Sequence, residues 1–277
     1  MKPELMAIVN AAPDSFSDPG RRDVGELAAG AMRLAAEGAS IIDVGGESGR
    51  TDRPAVPERE EIERVVPLVE RLAREGLRVS VDTWRAPVAR AALAGGAAMI
   101  NDVSALSDPL VAEACAEAGA ALVITHTRLP PKQKGFPDYA DVIEDVVALL
   151  SDRIEEASRR GMEGHRIVLD PGLDLAKTPA QSVELLRRLP ELCALGYPVL
   201  VAASRKDFVG ALTGRAPAER DAGTLAALDA AVEGGASILR VHDVAGARDY
   251  LAVRDALHGG REVPHLDESL RREPDAA

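Results

Sequence analysis

Eight short apolar runs recur along the chain, and nearly all of them stop at a polar or ionisable residue. They are Met6–Asn10, Ile41–Asp43, Val79–Asp82, Met99–Asp102, Ala121–His126, Ile167–Asp170, Pro198–Lys206 and Ile238–His242. Longer stretches rich in Ala, Leu, Glu and Arg lie between them. This alternation of buried strand and amphipathic helix is the sequence form of a parallel sheet covered by helices. Eight units in 277 residues predict one α/β domain, a (β/α)8 TIM barrel, a fold that typically takes about 250 residues. All strands of such a barrel end at one mouth. Asn10, Asp43, Asp82, Asn101, His126, Asp170, Lys206, Arg240 and His242 are therefore expected around a shared cavity, which is an enzyme's layout.

A half-repeat supports the barrel. Gly38-Ala39-Ser40-Ile41-Ile42-Asp43, Gly96-Ala97-Ala98-Met99-Ile100-Asn101 and Gly235-Ala236-Ser237-Ile238-Leu239-Arg240 share one arrangement, and Gly119 to Ile124 is a fourth copy with its polar residue displaced to His126. Each Gly can end a helix, and the polar residue follows at the far end of the strand. A strand period of two makes Arg240 and His242 point the same way. Helical spacing is readable over Val24–Glu37, Pro57–Arg74 and Ala140–Arg160, with Pro57 and Pro179 suited to first turns. Long loops follow strands one, two and five, at Ala11–Asp23, Gly45–Val56 and Thr127–Tyr139. Residues 1–258 read as the barrel; residues 259–277, charged and non-periodic, read as a flexible, disordered tail.

The balance of 33 basic against 45 acidic residues gives a formal charge of −12, which disfavours a nucleic-acid surface. Cys115 and Cys193 lack CxxC spacing and read as inert thiols in a reducing compartment. No apolar run approaches the roughly 20 residues of a membrane span, and the start of the chain lacks a signal-peptide pattern. The expectation is a cytoplasmic enzyme acting on small molecules, without membrane or nucleic-acid partners.

The strand ends suggest chemistry, each with a plainer alternative. Lys206, closing Ser204-Arg205-Lys206, can hydrogen-bond a heterocycle carbonyl or stabilise developing negative charge, or be a solvated surface lysine. Arg240 and His242 on one strand face suit a phosphate or diphosphate, and the plainer alternative is a structural Arg–Asp pair. Asp82, Asn101 and Asp170 suit a guanidine-like edge, or cap the following helices. Asn10 offers a neutral oxygen to a Mg²⁺ held mainly by substrate phosphates. Asp43 and Asp102 read as weaker candidates that tether loops. His126, Arg128 and Lys132 suit either the site or a basic lid, whereas His165 and His258 read as exposed.

From about Met6 to Leu257 the chain resembles dihydropteroate synthases, the pterin-binding barrel enzymes of folate synthesis. The resemblance rests on Asn10 with Pro13-Asp14-Ser15-Phe16-Ser17-Asp18, on Asp43-Val44-Gly45-Gly46-Glu47-Ser48 and on Ser80-Val81-Asp82-Thr83. It continues through Ile100-Asn101-Asp102-Val103-Ser104, Asp170-Pro171-Gly172, Ser204-Arg205-Lys206 and Arg240-Val241-His242-Asp243-Val244. It implies condensation of 6-hydroxymethyl-7,8-dihydropterin diphosphate with 4-aminobenzoate, with Mg²⁺ as cofactor and a homodimeric assembly. Carried over position by position, Asp82, Asn101, Asp170 and Lys206 hold the pterin. Asn10, Arg50, Arg240 and His242 hold the Mg²⁺-diphosphate, with Asn10 on the metal, and Ser204 and Leu175 lie by the aminobenzoate. Asp82, Lys206, Arg240 and His242 form the catalytic set.

Departures cluster in loops. Ala12 and Gly49 stand where the family usually has Thr, and Arg50-Thr51-Asp52 where it has Arg-Pro-Gly. Asp174-Leu175-Ala176-Lys177 replaces Gly-Phe-Gly-Lys, and Thr127 replaces Met. The pterin residues match. Two alternatives stand beside a working synthase: a diverged pterin-binding paralogue with altered or lost arylamine use, and a methyltetrahydrofolate-binding domain of a methyltransferase. The latter would need no diphosphate site.

Overall fold

The computed structural model describes residues 2–12, 23–47, 54–263 and 265. Most of the expected tail, 264 and 266–277, therefore lies outside the described residues. The strands are β1 (Glu4–Asn10), β2 (Ile41–Gly45), β3 (Val79–Asp82), β4 (Met99–Asp102), β5 (Ala121–Thr125), β6 (Ile167–Asp170), β7 (Leu200–Val201) and β8 (Ile238–Val241). Around them run α1 (Val24–Glu37), α2 (Glu58–Arg74), α3 (Ala86–Ala94), α4 (Leu110–Ala118) and α5 (Val142–Arg159). The ring continues with α6 (Pro179–Arg187), α7 (Leu189–Cys193), α8 (Asp207–Thr213), α9 (Asp221–Glu233) and α10 (Val244–Leu257). The sheet order is β6-β5-β4-β3-β2-β1-β8-β7, with every pair parallel. Its ends meet through a bridge between Leu169 and Val199 and a 2.9 Å bond from Leu169 N to Pro198 O. This is a (β/α)8 barrel.

Alternation along each strand sorts the core into two. Met6, Ile41, Met99, Val123, Val168, Leu200 and Ile238 pack together as an apolar layer inside the barrel. The intervening residues, such as Ala7, Ile42, Val81, Ile100, Leu122, Leu169 and Leu239, join the outer core with the helices, including Val65, Leu68 and Leu72 of α2. Val and Leu fill both cores because the chain has only three Phe, three Tyr and one Trp. One strand register above the inner layer sit the polar residues: Met6 pairs with Ile41, and two residues on Ile8 pairs with Asp43.

The half-repeat glycines do what their spacing requires. Gly38, Gly96, Gly119 and Gly235 all have positive φ, 124°, 102°, 64° and 99°, turning the chain from helix to strand. Helix starts are capped locally: Asp141 accepts from Ile143 N and Glu144 N, and Thr178 forms a capping box with Gln181. Pro179 opens α6, while Pro57 sits one position earlier than expected, at the cap of α2. Strand seven is shorter than its apolar run. Arg205 takes a left-handed φ of 58°, and its N–H donates to Thr224 Oγ1 at 3.0 Å while its side chain pairs with Asp221. These bonds pull the chain off the sheet, so Lys206 becomes the residue that caps α8.

Among the loops that leave the C-terminal strand ends, Arg85 donates to Glu47 at 3.2 Å and to Glu61, and Lys132 lies 3.1 Å from the same Glu47. Glu47 also accepts from Val56 N, so one carboxylate ties together the loops after β2, β3 and β5. The side chains of Glu47 and Glu61 are only 3% and 1% exposed. Removing the cation from buried carboxylates costs about 3–5 kcal/mol, far more than losing an exposed pair. Arg85→Ala should lower folding stability by that amount. Arg85 stacks 4.7 Å from the ring of Trp84, the single tryptophan, so its fluorescence through a denaturant titration reports the loss. A midpoint within error of the unmodified protein would show that the cluster is not cohesive.

Candidate functional site

The side chains next above the apolar layer are polar, and they are wired across the lumen. Arg240 of β8 donates from Nε to Asp43 Oδ2 of β2 at 2.7 Å, and from its NH2 group to Asp82 Oδ2 of β3 at 3.1 Å. Asn101 of β4 donates to the same Asp43 oxygen at 3.1 Å. Asp43 is fully buried and Asn101 and Asp170 nearly so, while Asp82 is partly open to the mouth. Burial pushes the Asp82 carboxyl up, against the pull of Arg240. Asp170 is also raised by burial, opposed by the Gly172 N–H and by Lys206. Within the described protein, Asp43 Oδ1, Asn101 Oδ1, Ser80 Oγ and Thr125 Oγ1 are buried without hydrogen-bond partners. Buried acceptors in such number suit a flat ligand that presents N–H donors.

Sequence reasoning placed Asp82, Asn101, Asp170, Lys206 and Arg240 at strand ends, and the structure brings them to one mouth. Asp43 was ranked too low. It is the central acceptor of the network rather than a loop tether, and its signal was present: it holds the same place in the half-repeat as Asn101 and Arg240. Asp102 does tether a loop, accepting from Ser104 N, Ser104 Oγ and Leu106 N.

The loop after β6 forms one wall. Asp170 Oδ1 accepts from Gly172 N at 2.7 Å, and Gly172 has φ 68° where a Cβ would sit 2.0 Å from His126 O. Lys177, 1% exposed, donates to the carbonyls of His126, Gly172 and Leu175 at 3.2, 2.9 and 3.0 Å. Burial depresses its ammonium to about 7. Its signal was the lysine kept where Asp174-Leu175-Ala176-Lys177 departs from Gly-Phe-Gly-Lys, but spacing alone does not show that it is buried. Lys206 Nζ donates to Leu173 O at 2.9 Å, placing its ammonium against this loop. Burial lowers Lys206 too, partly offset by Asp174 and Asp170. Leu175 is half-buried on the same loop.

At the rim, His242 Nδ1 lies 2.9 Å from Ser204 Oγ, which also accepts from His242 N at 3.2 Å. Burial and the cations Arg205 and Arg240 depress His242 to about 4, so it is neutral at neutral pH and carries one ring N–H. Asn10 ends β1 with an exposed side chain; its Oδ1 would lie 3.8 Å from a Cβ on Gly45. Arg50 and Gly49 lie outside the described residues. His126 is not at the mouth: it is fully buried, with Nε2 2.8 Å from Asp145 Oδ1, and Arg128 grips the same carboxylate. His165 and His258 are exposed, and both cysteines are free, Cys115 buried with its thiol pushed up to about 12. Among the described residues no group of three His, Cys, Asp or Glu could hold a metal by itself. One neutral amide oxygen at the rim fits a Mg²⁺ carried in on phosphate oxygens and does not fit a resident metal.

His126 also sets a pH dependence. Its burial, with Lys177 nearby, holds the folded-state value down at about 3, against 6.5 for a free imidazole. As pH falls below about 6.5 the unfolded chain takes up this proton first, so the associated stability, present above that pH, drains away towards pH 3. The slope from this one group is at most about 1.4 kcal/mol per pH unit. The difference in stability between the unmodified protein and His126→Gln should therefore shrink on acidification from pH 7 to pH 4. A difference that stays constant would rule this out.

Comparison with known proteins agrees with this geometry. Residues 6–242 match the family described as pterin binding enzyme. Dihydropteroate synthase of Mycobacterium leprae is 41% identical over 271 residues, covering 94% of this chain and 95% of that one. The same organism's protein described as inactive dihydropteroate synthase 2 is also 41% identical, over 266 residues covering 93% and 91%. The structure of Xanthomonas albilineans dihydropteroate synthase with 4-aminobenzoic acid superposes with a TM-score of 0.87 at 45% identity, covering 95% of this chain and 94% of that one.

Proposed function

Since the chain belongs to the dihydropteroate synthase family of pterin-binding enzymes, we propose the following use of its polar barrel mouth. The enzyme is a transferase of folate biosynthesis. It condenses 6-hydroxymethyl-7,8-dihydropterin diphosphate with 4-aminobenzoate to give 7,8-dihydropteroate and diphosphate. The carrying observation is the Arg240–Asp43–Asn101 and Arg240–Asp82 network, because equal identity to a dihydropteroate synthase and to one described as inactive leaves the decision to site residues.

The pterin lies flat above the apolar layer, its guanidine-like edge donating to Asp170 and to the unpartnered oxygen of Asn101. Lys206 donates to its ring carbonyl. The bond between the pterin methylene carbon and the diphosphate oxygen breaks with its electron pair leaving on oxygen. Positive charge grows on the methylene and negative charge on the diphosphate. Asp82 faces the first; Arg240 and the neutral His242 N–H face the second, with Arg50 of the loop after β2 assigned there by resemblance. Asn10 would hold a Mg²⁺ brought in with the diphosphate, and the ion would neutralise oxygen charge. The arylamine lone pair then forms the C–N bond and the nitrogen sheds one proton. Ser204 and Leu175 border the aminobenzoate. A cytoplasmic homodimer completes the proposal, supported by two free thiols and by the family resemblance. No helix among the described residues is long and apolar enough to cross a membrane.

Pure protein given both substrates and Mg²⁺ should release diphosphate, and EDTA should suppress release. Lys206→Ala should bind the pterin diphosphate about one to two orders of magnitude more weakly, the worth of a charged hydrogen bond of ~1.5–3 kcal/mol. Pterin binding without diphosphate release would favour the inactive paralogue; unchanged affinity in the Lys206 variant would remove its assignment.

The arylamine side carries its own expectation. Leu175 offers an aliphatic wall where an aromatic ring would add about 0.5–1.5 kcal/mol of ring contact. Leu175→Phe should lower the Michaelis constant for 4-aminobenzoate about two- to tenfold and tighten sulfonamides in parallel, with pterin affinity unchanged. Steady-state kinetics with and without a sulfonamide will decide, and an unaltered constant would place the ring elsewhere.

A further inference from the structure

Asp174 is built in an unusual way. It takes a left-handed φ of 61°, a conformation that a residue with a Cβ rarely adopts without compensation. Both oxygens of its carboxylate are engaged. Oδ1 accepts from Ser182 Oγ at 2.9 Å, while the backbone N–H of Asp174 donates back to that hydroxyl at 3.0 Å. Oδ2 accepts from the backbone N–H groups of Asp207 and Phe208, the latter at 3.3 Å. Those two residues begin α8, whose cap position is Lys206 with no capping side chain of its own. The helix is therefore capped from another loop. In the opposite direction, Lys206 Nζ donates to the carbonyl of Leu173, the residue before Asp174. The segments 173–174 and 206–208 thus clasp each other by two reciprocal reaches, side chain to backbone each way. On the other flank of Lys206, Arg220 donates to the carbonyls of Arg205 and Lys206, at 2.9 and 3.0 Å.

We propose that Asp174 is the positioning residue for Lys206, holding the backbone just after it so that the ammonium meets the pterin ring in a fixed place. This role rests on the reading of Lys206 as a pterin ligand. It explains why a charged residue occupies a strained position: the carboxylate's bonds to Ser182 and α8 offset the left-handed backbone. The nearby negative charge also favours the protonated form of Lys206, which burial opposes. Ser182 fixes the carboxylate rotamer from α6, so three elements, the β6 loop, α6 and α8, converge on one side chain.

Asp174→Gly and Asp174→Asn separate this role from mere loop stability. Glycine relieves the left-handed backbone but removes the clasp; asparagine keeps an oxygen acceptor for α8. Calorimetric titration with 6-hydroxymethyl-7,8-dihydropterin diphosphate and Mg²⁺, without 4-aminobenzoate, gives affinity directly. Asp174→Gly should bind the pterin about tenfold more weakly and raise its KM to match, while the KM for 4-aminobenzoate stays within about twofold. Asp174→Asn should recover pterin affinity to within about threefold of the unmodified protein. Asp174→Ala, which keeps the strain and loses the clasp, should resemble the glycine variant in affinity and melt lower. An Asp174→Gly protein that binds the pterin as tightly as the unmodified one overturns the role, as does a parallel rise in both KM values. An unmodified protein that fails to bind the pterin at all overturns the Lys206 reading, and this role with it.

Discussion

Arg240 is the strut on which the mouth depends. Projecting inward from β8, it bonds Asp43 on β2 and Asp82 on β3, and Asp43 passes the connection to Asn101 on β4. Four strands are thereby cross-braced by side chains one layer above the apolar residues inside the barrel. Burying such an ion network yields little stability compared with apolar packing, because desolvation consumes most of the Coulomb gain. What it supplies is orientation: Asp82, Asp43 and Asn101 are each left with one rotamer and a defined spare oxygen. An apolar plug in the same layer would hold the barrel as well and bind nothing.

Around that strut the loops are fastened by single buried groups acting as hubs. Glu47 gathers the loops after β2, β3 and β5 through Val56 N, Arg85 and Lys132. Lys177 gathers the end of β5 and the loop after β6 through three carbonyls, and Tyr139 adds a 3.0 Å bond to Ala176 O from the loop after β5. The walls of the mouth therefore answer to each other. The β6 loop, where this chain departs from the family, thus touches Lys206 through Leu173 and the residues just after it through Asp174, and carries Leu175 separately.

The barrel was legible because its period is strict. Eight short apolar runs, nearly all stopped by a polar residue and four of them preceded by glycine at a fixed distance, leave few other architectures. The helices Val24–Glu37 and Glu58–Arg74 matched within a residue, for the same reason of regular apolar spacing. What escaped were contacts between loops. Nothing in the local sequence of Glu47, Arg85 or Lys132 says that they meet, since their partners come from different βα units. Asp174 was noticed as a departure, yet its bonds to Ser182 and to the start of α8 depend on a left-handed turn that no spacing reveals. His126 ended a run as the active residues do, but its ring turns away from the lumen to Asp145.

The brevity of β7 has a mechanical meaning. Every other neighbouring pair from β1 to β6 shares at least three registered positions, whereas β6 meets the β7 segment at the Leu169–Val199 bridge and the Leu169–Pro198 bond. The cylinder is stitched tightly on one side and tacked on the other. Local opening follows the sparsest bonding first, so this seam is where amide hydrogens should exchange soonest within the sheet. It lies beside Ser204 and Lys206, on the far edge of β7 from β8, the strand that carries Arg240. Opening there parts β6 from β7 while the bonds that Arg240 makes to β2 and β3 stay in place.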